Sequence, residues 1–198
     1  MNSRLVGALL AVGLIASSCG DGRLSAEEYF AGASAAAARY DQATDEIFDL
    51  YTTATADALL DFEVVTAGSD TATLVEAIDR LLDTTISEVT SAFEEVALVL
   101  ETFIMSLADL EPPQTVERAH DGATAALSRS LDAIPDLVAA LRGAEKLADI
   151  SSTINGSSFG DTQPRVIAGC LELEGLASDL GVAADLHCDE PGDPDSSQ

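Results

Sequence analysis

Glu117 and His120 have the spacing of a metal-binding motif. Residues three apart share one face of a helix, so this carboxylate and imidazole could bind the same ion, as in di-iron helical bundles. A di-iron centre needs two such motifs, and the other histidine, His187, has no glutamate at that spacing. Two interpretations stay open: a mononuclear Zn²⁺ or Cu²⁺ site with nearby carboxylates, or a histidine that fills the core.

A second candidate for cation binding is the series Asp41, Asp45 and Asp49. These residues are four apart, so like charges stack along one helical face and repel by a few tenths of a kcal/mol for each pair, about 0.2–0.5. A divalent cation would relieve that repulsion. The simpler interpretation, which we favour, is an acidic face in contact with water.

Signals of catalysis are weak. The chain has no HExxH sequence, no EF-hand pattern and no phosphate-cradling glycine loop, and neither histidine lies in a recognisable nucleophile context. We therefore expect a protein that is not an enzyme and that needs no cofactor.

The charge of the chain restricts its partners. It carries 35 acidic and 9 basic residues, a formal net charge of −26. A phosphate backbone would be repelled, so we expect no binding to nucleic acid. Basic proteins, cations or neutral molecules are more plausible partners, and we expect a basic protein or an envelope protein. A hydrophobic content of 47% is ample for a core.

The N-terminus has the layout of an export signal. Arg4 precedes an apolar run over residues 5–15, which is too short to span a bilayer core of roughly 20 apolar residues, and small residues follow up to Cys19. The sequence Ala16-Ser17-Ser18-Cys19 resembles the lipobox of bacterial lipoproteins, although Ala16 replaces the usual leucine.

This resemblance implies cleavage before Cys19, acylation of its thiol (palmitate), and a signal peptide over residues 1–18. Residues 19–24 would then be the acylated cysteine and a tether. The expected location is the extracytoplasmic face of the cell membrane, through the lipid anchor. With Cys19 acylated, Cys170 and Cys188 are left as an even pair in a compartment that permits disulfides. We expect a disulfide between them rather than two free thiols or a metal pair.

The periodicity of apolar residues predicts four helices. The first begins at the capping box Ser25–Glu28 and ends near 68–70, and the second ends at Pro112-Pro113. The third continues from there to about residue 150, kinked but not broken at Pro135. The second helix has a predicted buried stripe with steps of three and four: Leu74, Ile78, Leu81, Leu82, Val89, Phe93, Val96, Leu100, Phe103, Ile104 and Leu107. The third has a predicted buried stripe with the same steps: Val116, His120, Ala123, Leu127, Leu131, Ile134, Val138 and Leu141.

Residues 151–163 are rich in Ser, Gly and Thr and predict a loop, followed by a shorter helix from Pro164 to about Leu180. The expected fold is all-α: an elongated antiparallel up-down bundle of three long helices, each of roughly 38 residues, with the fourth alongside. The domain would cover residues 25–188. The acidic tail 189–198, which has two prolines and no apolar residue, is predicted to be disordered.

Several features together are similar to uncharacterised helical lipoproteins of actinobacteria: the lipobox, the start Leu24-Ser25-x-Glu27-Glu28-Tyr29-Phe30, the sequence Pro112-Pro113-x6-His120, and the late cysteine pair. That group brings no activity with it. We expect a structural or protein-interaction component of the envelope. The alternative is a module that binds a metal ion or small ligand near His120.

Overall fold

A computed structural model describes residues 22–68 and 70–188, which form five α-helices and no strand. The helices are α1 (Ala26–Thr66), α2 (Thr71–Ala108), α3 (Glu117–Leu141), α4 (Leu147–Asn155) and α5 (Ser158–Asp179). The all-α prediction is confirmed. The predicted signal peptide 1–18, Cys19, the first part of the tether and the tail 189–198 lie outside the described residues.

The two longest helices begin at side-chain caps. The Ser25 hydroxyl accepts a hydrogen bond from the Glu28 N–H at 3.2 Å, and the Glu28 carboxylate accepts one from the Ser25 N–H at 3.0 Å. The predicted capping box is therefore confirmed. At the start of α2 the Asp70 carboxylate accepts from the Thr73 N–H at 2.9 Å. These contacts satisfy backbone donors that a helix start leaves without an internal partner.

The helices α1 and α2 pack against each other. Near the start of α1 the backbone at Gly32 lies against the Leu110 side chain, and further along the Tyr40 and Phe103 rings stack with centroids 5.0 Å apart. The core combines these helices with α3, α4, α5 and the segment that follows α5. Its largest fully buried side chains are Tyr29, Phe30, Val116, Ile134, Leu137 and Leu141.

The third helix is shorter than predicted. It continues through Pro135 without a break, as expected, but ends at Leu141 after 25 residues instead of roughly 38. The Gly143 N–H donates to the Ala140 carbonyl and the Ala144 N–H to the Leu141 carbonyl, so the chain tightens into three-residue turns. It restarts as α4 from Lys146, whose backbone is extended.

The prediction of a loop over residues 151–163 was wrong. Only Gly156 and Ser157 separate α4 from α5, and Ser157 is the N-cap of α5: its hydroxyl accepts from the Gly160 N–H at 3.2 Å. A Cβ at Gly160 would lie 2.8 Å from the Ile154 carbonyl oxygen, so this tight turn requires glycine. Residues 22–68 and 70–188 therefore form five helices where four were predicted, and Pro164 lies inside α5.

The close packing of α3 and α5 depends on small residues. A Cβ at Gly169 would lie 3.1 Å from the Ala123 Cα, so the two backbones approach closely there. Near the start of α5 the Phe159 ring meets the Phe93 ring of α2 edge-on, with centroids 5.5 Å apart. These contacts bring α5 against both α3 and α2.

Candidate functional site

His120 is a buried residue of α3, with 7% of its surface exposed. Its Nδ1 lies 3.0 Å from the Tyr29 hydroxyl of α1. Burial lowers the His120 pKa, an effect that Asp121 opposes, and burial raises the pKa of Tyr29 to about 12. Both groups are thus neutral at pH 7; the tyrosine hydroxyl donates to Nδ1 if the ring is protonated at Nε2 and accepts from it if the ring is protonated at Nδ1.

Glu117 is held by a different partner. The Arg23 Nη1 lies 2.8 Å from Glu117 Oε2 and the Nη2 lies 3.3 Å from Oε1, while Nη1 also donates to the Pro112 carbonyl. Hydrogen bonds from Arg23 and its positive charge lower the pKa of Glu117. Because this pair lies at the surface, where water and salt screen the two charges, it contributes little to stability.

The two predicted metal ligands are thus engaged separately, Glu117 by Arg23 and His120 by Tyr29. Within residues 22–68 and 70–188, no three His, Cys, Asp or Glu side chains come together in a way that could hold a metal ion. Both partners come from the segment around the start of α1. Nothing in the spacing of Glu117 and His120 predicted them, since they lie about ninety positions away in the sequence.

The series of aspartates on α1 meets the chain that follows α5. The Asp41 Oδ2 lies 3.6 Å from His187 Nδ1, and the Asp185 N–H donates to the Ser34 hydroxyl at 3.2 Å. Asp45 and Asp49 are exposed. This side of α1, at Ser34 and Asp41, is therefore in contact with the segment 182–188.

Residues 156–160 read Gly-Ser-Ser-Phe-Gly, which matches the Gly-x-Ser-x-Gly pattern of hydrolase nucleophile elbows. That motif needs a strand before its serine and a helix after it. The serine at the nucleophile position is Ser158, the first residue of α5, and the element before it is the helix α4. Ser157 is the N-cap of α5. The segment therefore lacks the strand that a nucleophile elbow needs before its serine.

Cys170 and Cys188 lie at bonding distance, with sulfur atoms 2.12 Å apart and Cα atoms 5.5 Å apart. The bridge joins α5 to the segment 182–188. That segment is also held by the Leu186 N–H, which donates to the Glu174 carboxylate at 2.9 Å.

Two surface grooves accompany these features. One, of about 280 Å³, lies between α1 and α2, and the other, of about 640 Å³, lies along α4 and α5. Neither groove is lined by Glu117, His120 or the disulfide.

The far ends of α1 and α2 form a helical hairpin, residues 48–88, which we call the arm. Only three of its described residues are buried, namely Ala77, Leu81 and Thr85. Its exposed large apolar side chains are Phe48, Leu50, Leu59, Leu60, Val64, Val65, Leu74, Val75 and Ile78. The prediction that Leu74 and Ile78 belong to a buried stripe of the second helix was therefore wrong, since both side chains are exposed.

Comparison of the chain with protein-family models, curated proteins and solved structures finds no significant match. Among the described residues, no helix is both long enough and apolar enough to cross a membrane.

The His120–Tyr29 pair predicts a specific pH dependence of stability. Because burial lowers the pKa of His120 below its ordinary value of 6.5, the unfolded chain binds this proton more readily than the folded chain. The contribution of His120 is complete well above its unfolded pKa of 6.5 and is lost as the pH falls from there through the lower folded pKa. We expect the free energy of unfolding, measured with urea, to decrease from about pH 7.5 to about pH 5.5.

His120→Asn keeps an acceptor for the Tyr29 hydroxyl but has no titrating ring, so it should flatten this part of the profile. His187→Asn removes the exposed histidine and should leave the slope in place. If the wild-type slope persists in His120→Asn and disappears in His187→Asn, the pH dependence comes from His187 and the prediction for His120 is wrong.

Proposed function

We propose that the protein is a lipid-anchored, extracytoplasmic interaction component of the bacterial cell envelope, without catalytic activity. The arm is its contact surface, and Cys19 carries the lipid. The observation that carries the proposal is the number of large apolar side chains exposed on the arm. Large apolar side chains that stay exposed in one part of a fold are typical of interaction sites, because water is a poor solvent for them.

The proposed architecture is the elongated up-down bundle expected from the sequence, with the arm as the part of α1 and α2 that extends beyond the other helices. The contacts Gly32–Leu110 and Tyr40–Phe103 support an antiparallel α1 and α2, because residue numbers rise along one helix as they fall along the other.

The connection to the proposed anchor lies at the opposite end from the arm. The Leu24 N–H donates to the Glu111 carbonyl at 3.0 Å, and Arg23 binds Glu117. These contacts fix the entry of the chain beside the connection between α2 and α3. Cys19 is only three positions before Gly22, so an acyl group there would hold this end of the domain at the membrane.

No observation favours the alternative of a metal or small-ligand module near His120. Tyr29 engages the imidazole at Nδ1, and Arg23 engages the nearest predicted carboxylate, that of Glu117.

Replacing Cys19 by serine tests the anchor. In bacterial cells that express the full chain, we expect the wild-type protein in the membrane pellet, labelled by palmitate and cleaved before residue 19. The Cys19→Ser variant should leave the pellet and take up no label. Cys170→Ser is a matched control, since it removes a cysteine but leaves Cys19 in place. Equal labelling and equal fractionation of wild type and Cys19→Ser would refute the anchor.

A photo-crosslinking residue tests the arm in the native host. Placed at Ile78, it should give covalent adducts with another protein. Placed at Leu98, which is also exposed on α2 but lies outside the arm, it should give few. Equal adducts from both positions, or none from Ile78, would remove the arm as the contact surface.

A further inference from the structure

One apolar stripe of α2 continues beyond the helices that cover it. Val89 and Phe93 are buried, 4% and 6% exposed, and Phe93 packs against Phe159 of α5. Towards the arm's tip the same stripe, in steps of three and four, passes through half-buried residues to Ile78 and Val75, which are 47% and 52% exposed; its arm residues are Ile86, Leu82, Ile78 and Val75.

The helices that cover this stripe of α2 end near Glu94. The first residue after α3, Arg142, binds Glu94 of α2 at 2.6 Å. The arm residues of the stripe are more than a turn beyond that contact. Their spacing is typical of a helix–helix interface, but α3 ends before it could pack against them.

The neighbouring side of α1 behaves in the same way. Ser34 and Asp41 contact the segment 182–188 on one side of this helix. Phe48 follows Asp41 by seven residues, and Leu59 lies eleven residues, three turns, after Phe48, so both fall on that same side. Both are exposed. We call the combined surface the apolar face of the arm; its residues are Phe48, Leu59, Val75, Ile78, Leu82 and Ile86.

Acidic residues border this face along both outer edges. By helical spacing, Asp79 and Asp83 follow the stripe of α2, and Asp45 and Glu63 follow that of α1. Residues 48–88 contain nine acidic residues and one basic residue, a net charge of −8. The one base, Arg80, lies on the opposite side of α2, where its Nε donates to the Glu76 carbonyl.

We infer that the apolar face of the arm binds a basic amphipathic helix, which takes the place of a third helix. This inference rests on the proposed function and adds the chemistry of the partner. The stripe from Val75 to Ile86 extends about 17 Å along α2, which suits a partner helix of three to four turns. Its apolar side would lie on the stripe, and lysine or arginine at its edges would meet the two acidic borders.

Charge disfavours the other occupants of this face. A second copy would bring together two arms of −8 each, and an anionic membrane would be repelled in the same way. A neutral apolar segment would leave both acidic borders without partners. A basic helix alone complements the apolar stripe and the borders together.

Synthetic peptides test this chemistry on the full chain carrying Cys19→Ser, which lacks the proposed acylation site. One peptide is a helix with a leucine stripe and lysine edges, and a second has the same stripe with glutamate edges. We expect fluorescence anisotropy to show binding of the lysine peptide, and binding of the glutamate peptide at least about tenfold weaker. Raising the salt from about 50 to about 500 mM should weaken the first interaction.

Two pairs of variants locate the site. Val75→Glu with Ile78→Glu should weaken the lysine peptide about tenfold or more, and both positions are exposed, so the fold should tolerate them. Leu98→Glu with Met105→Glu adds the same charges at exposed positions of α2 outside the face and should change binding less than about twofold.

A charge reversal then tests the borders. Asp79→Lys with Asp83→Lys should weaken binding of the lysine peptide and strengthen binding of the glutamate peptide. Glu172→Lys with Asp179→Lys, at exposed positions of α5, should leave the ratio between the peptides unchanged. Circular dichroism of each variant confirms that it is folded.

Three results would overturn the inference. The first is equal binding of both peptides. The second is concentration-dependent dimerisation that Val75→Glu with Ile78→Glu abolishes, which would assign the face to a second copy. The third is binding to phosphatidylglycerol vesicles lost in the same variant, which would assign it to lipid. Because these measurements use purified protein, their failure is separate from failure of the anchor or of crosslinking in cells.

Discussion

Replacing Phe30 by alanine is expected to lower the free energy of unfolding by about 3–5 kcal/mol. The side chain is fully buried on α1, and its ring meets the Tyr29 ring edge-on with centroids 5.0 Å apart. The substitution removes apolar area from the core and leaves a cavity beside Tyr29, whose hydroxyl bonds His120. Domains of this size are stable by only about 5–15 kcal/mol, so the change should be plain in urea unfolding.

Leu60→Ala is the matched control, because it removes an apolar side chain of similar size from the exposed surface of the same helix. Its effect should stay within about 0.5 kcal/mol of zero. If Phe30→Ala cost no more than Leu60→Ala, the core around α1 would be packed differently from the one described here.

The double variant Cys170→Ala with Cys188→Ala is expected to lose about 3 kcal/mol, because the bridge closes a loop of about 19 residues and limits the unfolded chain. The loss should be largest in the segment 182–188, which the bridge holds against α5. Hydrogen exchange of the amides of Asp185 and Leu186, which donate to Ser34 and Glu174, should become faster.

Reduction of the wild-type chain should reproduce this loss and should have no effect on the double variant. A Cys19→Ser background keeps a third thiol from complicating the measurement. Equal stability of oxidised wild type and double variant would show that the bridge contributes nothing to stability. The alternative of two free thiols would then be preferred to the disulfide.

The sequence alone predicts where a helix begins or ends when a local chemical signal marks that position. Ser25 and Glu28 form the capping box that their spacing predicted, and α2 ends shortly before Pro112. The Cys170–Cys188 pair was equally accessible, because it followed from the count of cysteines. Each of these features depends on residues close together in the chain or on residue type alone.

Ambiguous signals were interpreted wrongly. Serine and glycine between residues 151 and 163 favour loops, but Ser157 is just as well suited to an N-cap, and the turn it forms is only two residues long. By propensity Gly143 only weakly disfavours a helix. The turn after Leu141 becomes evident only in the structure, where Ile150 of α4 is buried in the core.

The candidate sites were less predictable than the helices. Periodicity indicates that Ile78 lies on an apolar face, but it cannot tell whether another helix covers that face, which depends on where α3 ends. The partners of His120 and Glu117, Tyr29 and Arg23, come from a distant part of the chain and follow from tertiary packing. The predicted helix lengths gave no sign of the arm, because the third helix was expected to be as long as the second.

The length of α1 determines how far the tip of the arm lies from the end of the domain near Leu24. Its 41 residues span about 60 Å from the end near Leu24 to the tip. Attached by an acyl group at Cys19, as proposed, the protein would present the proposed contact face tens of ångströms from the headgroups. A partner embedded in the same bilayer would need an ectodomain tall enough to meet it, whereas a freely diffusing partner could dock without approaching the lipid at all.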